Sequence, residues 1–196
     1  MDVRRIADGL WYWAAPHPRW RPDADWPEAV GCVYYEAPDA VVLIDPLLPR
    51  GEEDEFFEYL DRDVERAGRP VVILLTAHWH ERDAPILRGR YEAKDRVPGG
   101  IEVHRIEGAP EEQLAYFIRP HRALVVAEIF MGENRGLRLC PSPALIHRAA
   151  LDTSLQSLLE LPVERVFPGH GEPVLENGLE AMRSALRESL PAQTED

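Results

Sequence analysis

Two histidines one residue apart, His78 and His80, follow the apolar run Val71-Val72-Ile73-Leu74-Leu75. Imidazole binds metals and exchanges protons near neutral pH, so their relative placement decides which chemistry is open to them. The run is too short for a helix and rich in branched side chains, and it reads as a strand buried on both faces. If the chain stays extended as far as His80, a period of two puts both imidazoles on one face and turns Trp79 away. They would then converge beyond the carboxyl end of a central strand, where ligands and metals collect in mostly parallel α/β sheets.

A third histidine, His170, stands in Pro168-Gly169-His170-Gly171 after the strand-like Val163–Phe167. Asp45 is left at the end of the strand Ala40–Ile44, because Pro46 cannot continue a central strand. Glu128 lies near the end of the apolar run Ala123–Phe130, so it either has a partner or marks a wet strand end. Asp83 suits the N-cap or first turn of a helix through Pro85 and Leu87. Arg82 either extends into solvent or turns inward. A guanidinium cannot become a metal ligand, and facing inward its fork would pair with the carboxylate of Glu128 or Asp45.

The elements that must position these residues come in a mixed order. Gly9–Ala14 is aromatic and strand-like, and four prolines between residues 16 and 27 exclude regular structure. That loop is either held on the surface by Trp20 and Trp26 or forms a flap over a pocket with His17 facing in. Val30–Glu36 and Ala40–Ile44 form a hairpin around Pro38-Asp39. Gly51–Gly68 carries an apolar stripe of Phe56, Phe57, Leu60 and Val64, with acids at its start and glycine at its end, as an amphipathic helix does. Ala84, Leu87 and Tyr91 share a short helical stripe. Ile101–Ile106, Gln113–Arg119 and Ala123–Phe130 read as strands, the last two joined by a turn at Pro120-His121-Arg122. Met131–Pro143 is poor in pattern, and Cys140-Pro141-Ser142-Pro143 within it reads as irregular. Asp152 is placed to cap a helix carrying Leu155, Leu158 and Leu159, and Asn177 one carrying Leu179, Met182 and Leu186. The tail Gln193–Asp196 is expected to be disordered. Strands and helices in this order suit an α/β sandwich.

The 196 residues suit a single domain spanning 1–196. A formal charge of −13 speaks against nucleic acid and anionic membranes as partners. No stretch approaches membrane-spanning length, and Met1–Ile6 has no apolar run behind it, so it fails as a signal peptide. Two distant cysteines, Cys32 and Cys140, favour reduced thiols and a cytoplasmic location.

Three of these features together resemble the metallo-β-lactamase superfamily: the strand end at Ile44-Asp45-Pro46, the segment His78-Trp79-His80, and Pro168-Gly169-His170-Gly171. The resemblance implies a four-layer αββα sandwich, two mixed sheets with helices on the outer faces and a metal site at one edge. The family pattern His-x-His-x-Asp-His falls on His78 to Asp83, which puts Arg82 in place of an aspartate and Asp83 in place of a histidine. The family's next histidine falls at Ala109, which supplies no ligand atom. Its bridging aspartate falls on Glu128, its final histidine on His170, and an acid behind the ligands on Asp45.

The metal set the resemblance implies is therefore His78, His80, His170, Glu128 and Asp83, with Asp45 and Arg82 lining the pocket. A catalytic zinc usually has three protein ligands and an open water position, and the first metal position keeps only two imidazoles. At ~4 Å from a divalent cation, Arg82 would be repelled by several kcal/mol even at an effective dielectric of about 20. Two classes follow. One is a metal-free or weakly metal-binding, non-catalytic binding or regulatory protein with a small-molecule ligand and the aromatic N-terminal loop as a homodimer contact. The other is a hydrolase of an ester, thioester, amide or phosphoester, with one Zn, Fe or Mn ion, zinc first.

Overall fold

The computed structural model describes residues 2–109, 111–133, 136–140 and 147–188. Five strands form the first sheet in the order β1-β2-β3-β4-β5: β1 (Val3–Ala7), β2 (Leu10–Pro16), β3 (Ala29–Ala37), β4 (Ala40–Ile44) and β5 (Val71–Leu74). The pairs are antiparallel except β4 with β5, which run parallel because α1 (Glu53–Ala67) carries the chain back between them. β6 (Ile101–Ile106), β7 (Gln113–Ile118), β8 (Ala123–Val125) and β11 (Arg165–Phe167) pair in the order β11-β8-β7-β6, with β11 parallel to β8. β9 (Phe130–Glu133) and β10 (Gly136–Leu139) form a separate antiparallel pair. Three further helices are α2 (Ala84–Tyr91), α3 (Arg148–Leu159) and α4 (Gly178–Glu188). The fold is α/β, as expected.

Packing follows the alternation of the strands. Tyr12, Val33, Tyr35, Val42, Ile44 and Val72 meet Tyr116, Ile118, Val125 and Phe167 in one apolar cluster. The opposite face of the first sheet, through Val41, Leu43 and Ile73, packs on Phe56 and Leu60 of α1 and on Leu87 of α2. Leu124, Phe117 and Val166 pack on Leu151 and Leu155 of α3 and on Met182 of α4. Strands buried on both faces read as continuous apolar runs, which is how Val71–Leu74 and Ala40–Ile44 read.

Four expectations need correction. The strand through Val71 stops at Leu74, and His78–Glu81 is a turn of 3-10 helix. Ala123–Phe130 is not one strand: β8 ends at Val125 and β9 starts at Phe130. Met131–Leu139, where the sequence offers little pattern, holds most of β9 and all of β10, while Pro141–Pro143, read as irregular, falls outside the described residues. Asp152 lies inside α3, whose start is at Arg148, so it is no cap. The tail Gln193–Asp196 also lies outside the described residues. No helix among the described residues is long and apolar enough to cross a membrane.

Candidate functional site

The ends of β4 and β5 build the floor of the site together. Ile44 and Leu74 are the last register pair, and β5 lies at the sheet edge, so when Pro46 ends β4 the ladder of β5 ends with it. Asp45 turns into positive φ (51°), and its buried carboxylate takes over the next donors. Oδ1 accepts the Thr76 backbone N–H at 2.8 Å, and Oδ2 accepts the Thr76 hydroxyl and the His80 Nδ1–H, the latter at 2.9 Å. The 3-10 turn that follows, closed by His80 N–H on the Ala77 carbonyl at 3.0 Å, lifts His80 over this carboxylate.

In a turn of about three residues, side chains two apart diverge, so His78 and His80 do not converge. His78 is 71% exposed and pairs with Glu111 at 3.1 Å, whereas His80 is buried. Glu128 sits in the gap between β8 and β9. Its Oε1 accepts the Trp79 indole N–H at 3.1 Å and lies 3.6 Å from Nε2 of both His80 and His170. His170 is stitched in from two sides, bridging Val30 and Met131, with its carbonyl accepting the Gly132 N–H at 2.9 Å. Glycines allow that approach: a Cβ on Gly132 would meet the Glu172 carbonyl oxygen at 2.0 Å, and one on Gly171 (φ 79°) would meet the Gly132 carbonyl oxygen at 2.2 Å.

Of the residues singled out by spacing, the structure brings together Asp45, His80, Glu128 and His170. It separates Asp83, whose carboxylate accepts the Leu48 backbone N–H at 2.9 Å and pairs with Arg50 at 3.1 Å. Asp83 does occupy the N-cap position of α2, but its side chain makes no cap hydrogen bond. Arg82 turns inward without the expected carboxylate fork: its NH1 donates to the Asp45 backbone carbonyl at 3.2 Å. Its backbone is held at φ 40°, ψ −115°. Of the loop with four prolines, His17 and Trp26 line the cavity beside His170. Trp26 packs at a tilt against His170, ring centres 4.7 Å apart, and meets His17 edge-on at 5.1 Å, over a cavity of about 310 Å³ that His80, Arg82 and Glu128 also line. Arg19 and Trp79, on its wall, had no distinguishing signal in the sequence.

The charges alternate across the site. Burial alone would raise the Asp45 carboxyl, but the charge and hydrogen bond of His80, with Arg82 and Thr76, outweigh it and hold Asp45 below the usual carboxylate range. Burial would likewise lower His80, but Asp45 and then Glu128 raise it above its ordinary value. Glu128 is held well below its ordinary value despite burial, through His170, His80 and Trp79. The arrangement is a carboxylate, an imidazole and a second carboxylate in series.

These residues do not fit a catalytic metal. Among the described residues, no group of three or more His, Cys, Asp or Glu side chains is arranged to hold one. The ligand positions at His78 and Asp83 are directed elsewhere, Ala109 packs partly buried against the helical cluster, and Arg82 brings a fixed positive charge to the same cavity. His80 Nδ1 is held by Asp45, and its Nε2, buried without a hydrogen-bond partner, faces Glu128 Oε1 at 3.6 Å.

No family model and no curated protein matches the sequence. Solved structures do. The metallo-β-lactamase IND-7 is 14% identical, with 95% of this chain and 97% of that one covered at a TM-score of 0.61. The metallo-β-lactamase DIM-1 is 13% identical over 96% and 97% at 0.60. A metallo-β-lactamase from Pontibacter korlensis is 15% identical over 95% and 98% at 0.57. Likenesses at such identity carry architecture and not chemistry: the chain has the metallo-β-lactamase fold.

Proposed function

We propose that this chain is a metal-independent member of the metallo-β-lactamase fold that binds a small molecule, in a binding or regulatory role, where its structural relatives' fold would hold an ion. The four-layer αββα reading goes with it, supported by three apolar clusters, one between the strand groups and one under each helical face. The observation that carries the functional reading is His80 held between Asp45 at 2.9 Å and Glu128 at 3.6 Å, with Arg82 beside it. A buried acid needs a counter-charge, and here side chains supply it. Fold does not imply function, so the argument rests on this site alone.

The rival reading, a metal-dependent hydrolase, draws on one observation: Nε2 of His80 and of His170 both face Glu128 Oε1. Elemental analysis of protein purified without chelator or affinity metal separates the two. Traces of transition metal are expected; close to one ion per chain would overturn the proposal.

A further inference from the structure

We propose that the space on both sides of Arg82 is one binding site for a small organic oxyanion, a carboxylate or phosphate monoester on a flat apolar body. The Arg82 and Arg19 guanidinium groups take the anion, and Trp26 and Trp79 take the body. The inference deepens the metal-independent reading and rests on it.

Two cavities of about 310 and 420 Å³ share His17, Arg19, Trp79 and Arg82, so Arg82 stands between them and reaches both. Their joint size suits a small ligand. The argument turns on which charges of this lining are already spent. Glu81 pairs with Arg88, Asp83 with Arg50, and Glu128 with His80 and His170. Asp45 beneath them is satisfied by Thr76 and His80.

Every acid at the site thus has an ion-pair or hydrogen-bonding partner, while two arginines, Arg82 and Arg19, make no ion pair among the described residues. Among the described residues, Arg82 makes one hydrogen bond, to a neutral carbonyl, and its buried Nε has no partner. Arg19 makes no ion pair among them either, in a chain where 35 acidic residues outnumber 22 basic ones. Elsewhere on the same surface arginines find acids readily, as Arg90 does with Asp61 and Arg96 with Asp39.

Two further observations agree. Burial, then the charges of Arg82 and Arg19, push the His17 imidazole down to about 4, as an electropositive cavity would. Arg82 also pays for a rare backbone conformation, and such outliers persist at ligand clamps. The N–H groups that the two guanidiniums leave without an acid match a carboxylate or phosphate, and the indole faces suit a flat body.

Calorimetric titration tests this, with EDTA present and absent, using benzoate, phenyl phosphate, benzyl alcohol and benzylamine as probes. At least one of the two anions is expected to bind with affinity roughly tenfold or more above benzyl alcohol, unchanged by EDTA. Arg19→Gln, in an exposed loop, and Arg82→Gln should each weaken it by roughly tenfold, and Arg82→Lys by less. Equal affinity for anion and alcohol, a preference for benzylamine, or anion binding untouched in both Gln variants would overturn the inference while leaving the metal-independent reading in place. Anion binding that EDTA abolishes would place the ligand on a metal and overturn both.

Discussion

His80 carries more of the site than any other side chain, because its two nitrogens connect a buried carboxylate to one that faces the cavity. Removing either end of the inner pair leaves a buried charge uncompensated, which typically costs about 3 kcal/mol or more. Asp45→Asn and His80→Ala are each expected to lower stability by that amount in urea unfolding; a midpoint within error of wild type would show the pair to be dispensable. The pH dependence follows from the directions of the shifts. His80 is raised above its ordinary 6.5, so its contribution is complete below that pH and is lost as pH rises through the higher folded value. Asp45 and Glu128 are lowered from 3.8 and 4.5, so theirs is complete above those values and lost as pH falls through the lower folded ones. The expected profile is highest on the acid side of neutrality. His80→Gln should flatten its alkaline limb, and a variant that keeps the wild-type limb would assign the titration elsewhere. Of this cluster, Asp45, His80, Glu128 and His170 were legible from residue type and strand ends. Trp79 as a donor to Glu128 and the Arg19 wall were not, because an indole or an exposed arginine has no spacing signature.

At the scale of elements, one rule explains both strands that proved shorter than their apolar runs. A strand lasts as long as its neighbours: β5 ends where Pro46 ends β4, and β8 ends where Pro168 follows its parallel partner β11. Apolar composition marked the runs, but the neighbouring prolines set their lengths. Both early endings serve the site, one raising His80 over Asp45 and the other freeing Glu128 toward it. The hairpin β9–β10 was hidden because its strands are four residues each and mix glycine with charge, leaving little alternation to read. The tight seam between β9 and the loop of His170 predicts that Gly132→Ala costs about 2 kcal/mol by overpacking. A thermal midpoint equal to wild type would mean the loop moves aside freely. The positive φ of Arg82 predicts that Arg82→Gly is more stable than Arg82→Ala by roughly 1 kcal/mol. The reverse order would show that the backbone there carries no strain.

Over the whole molecule, the order of strands and helices and three short segments were enough to place the fold, while chemistry could not be carried across with it. Where the resemblance marks a metal site the structure brings together Asp45, His80, Glu128 and Arg82, the last three lining a cavity. The reason is local. Three positions of the family's ligand pattern hold Arg82, Asp83 and Ala109, and the turn after β5 sends His78 outward. The most direct measurement is nitrogen-15 NMR of the His80 imidazole near its ordinary pKa, before and after one equivalent of zinc. Both ring nitrogens are expected to stay protonated, with shifts unmoved by the metal. Loss of the Nε2 proton to zinc would contradict the account at its centre.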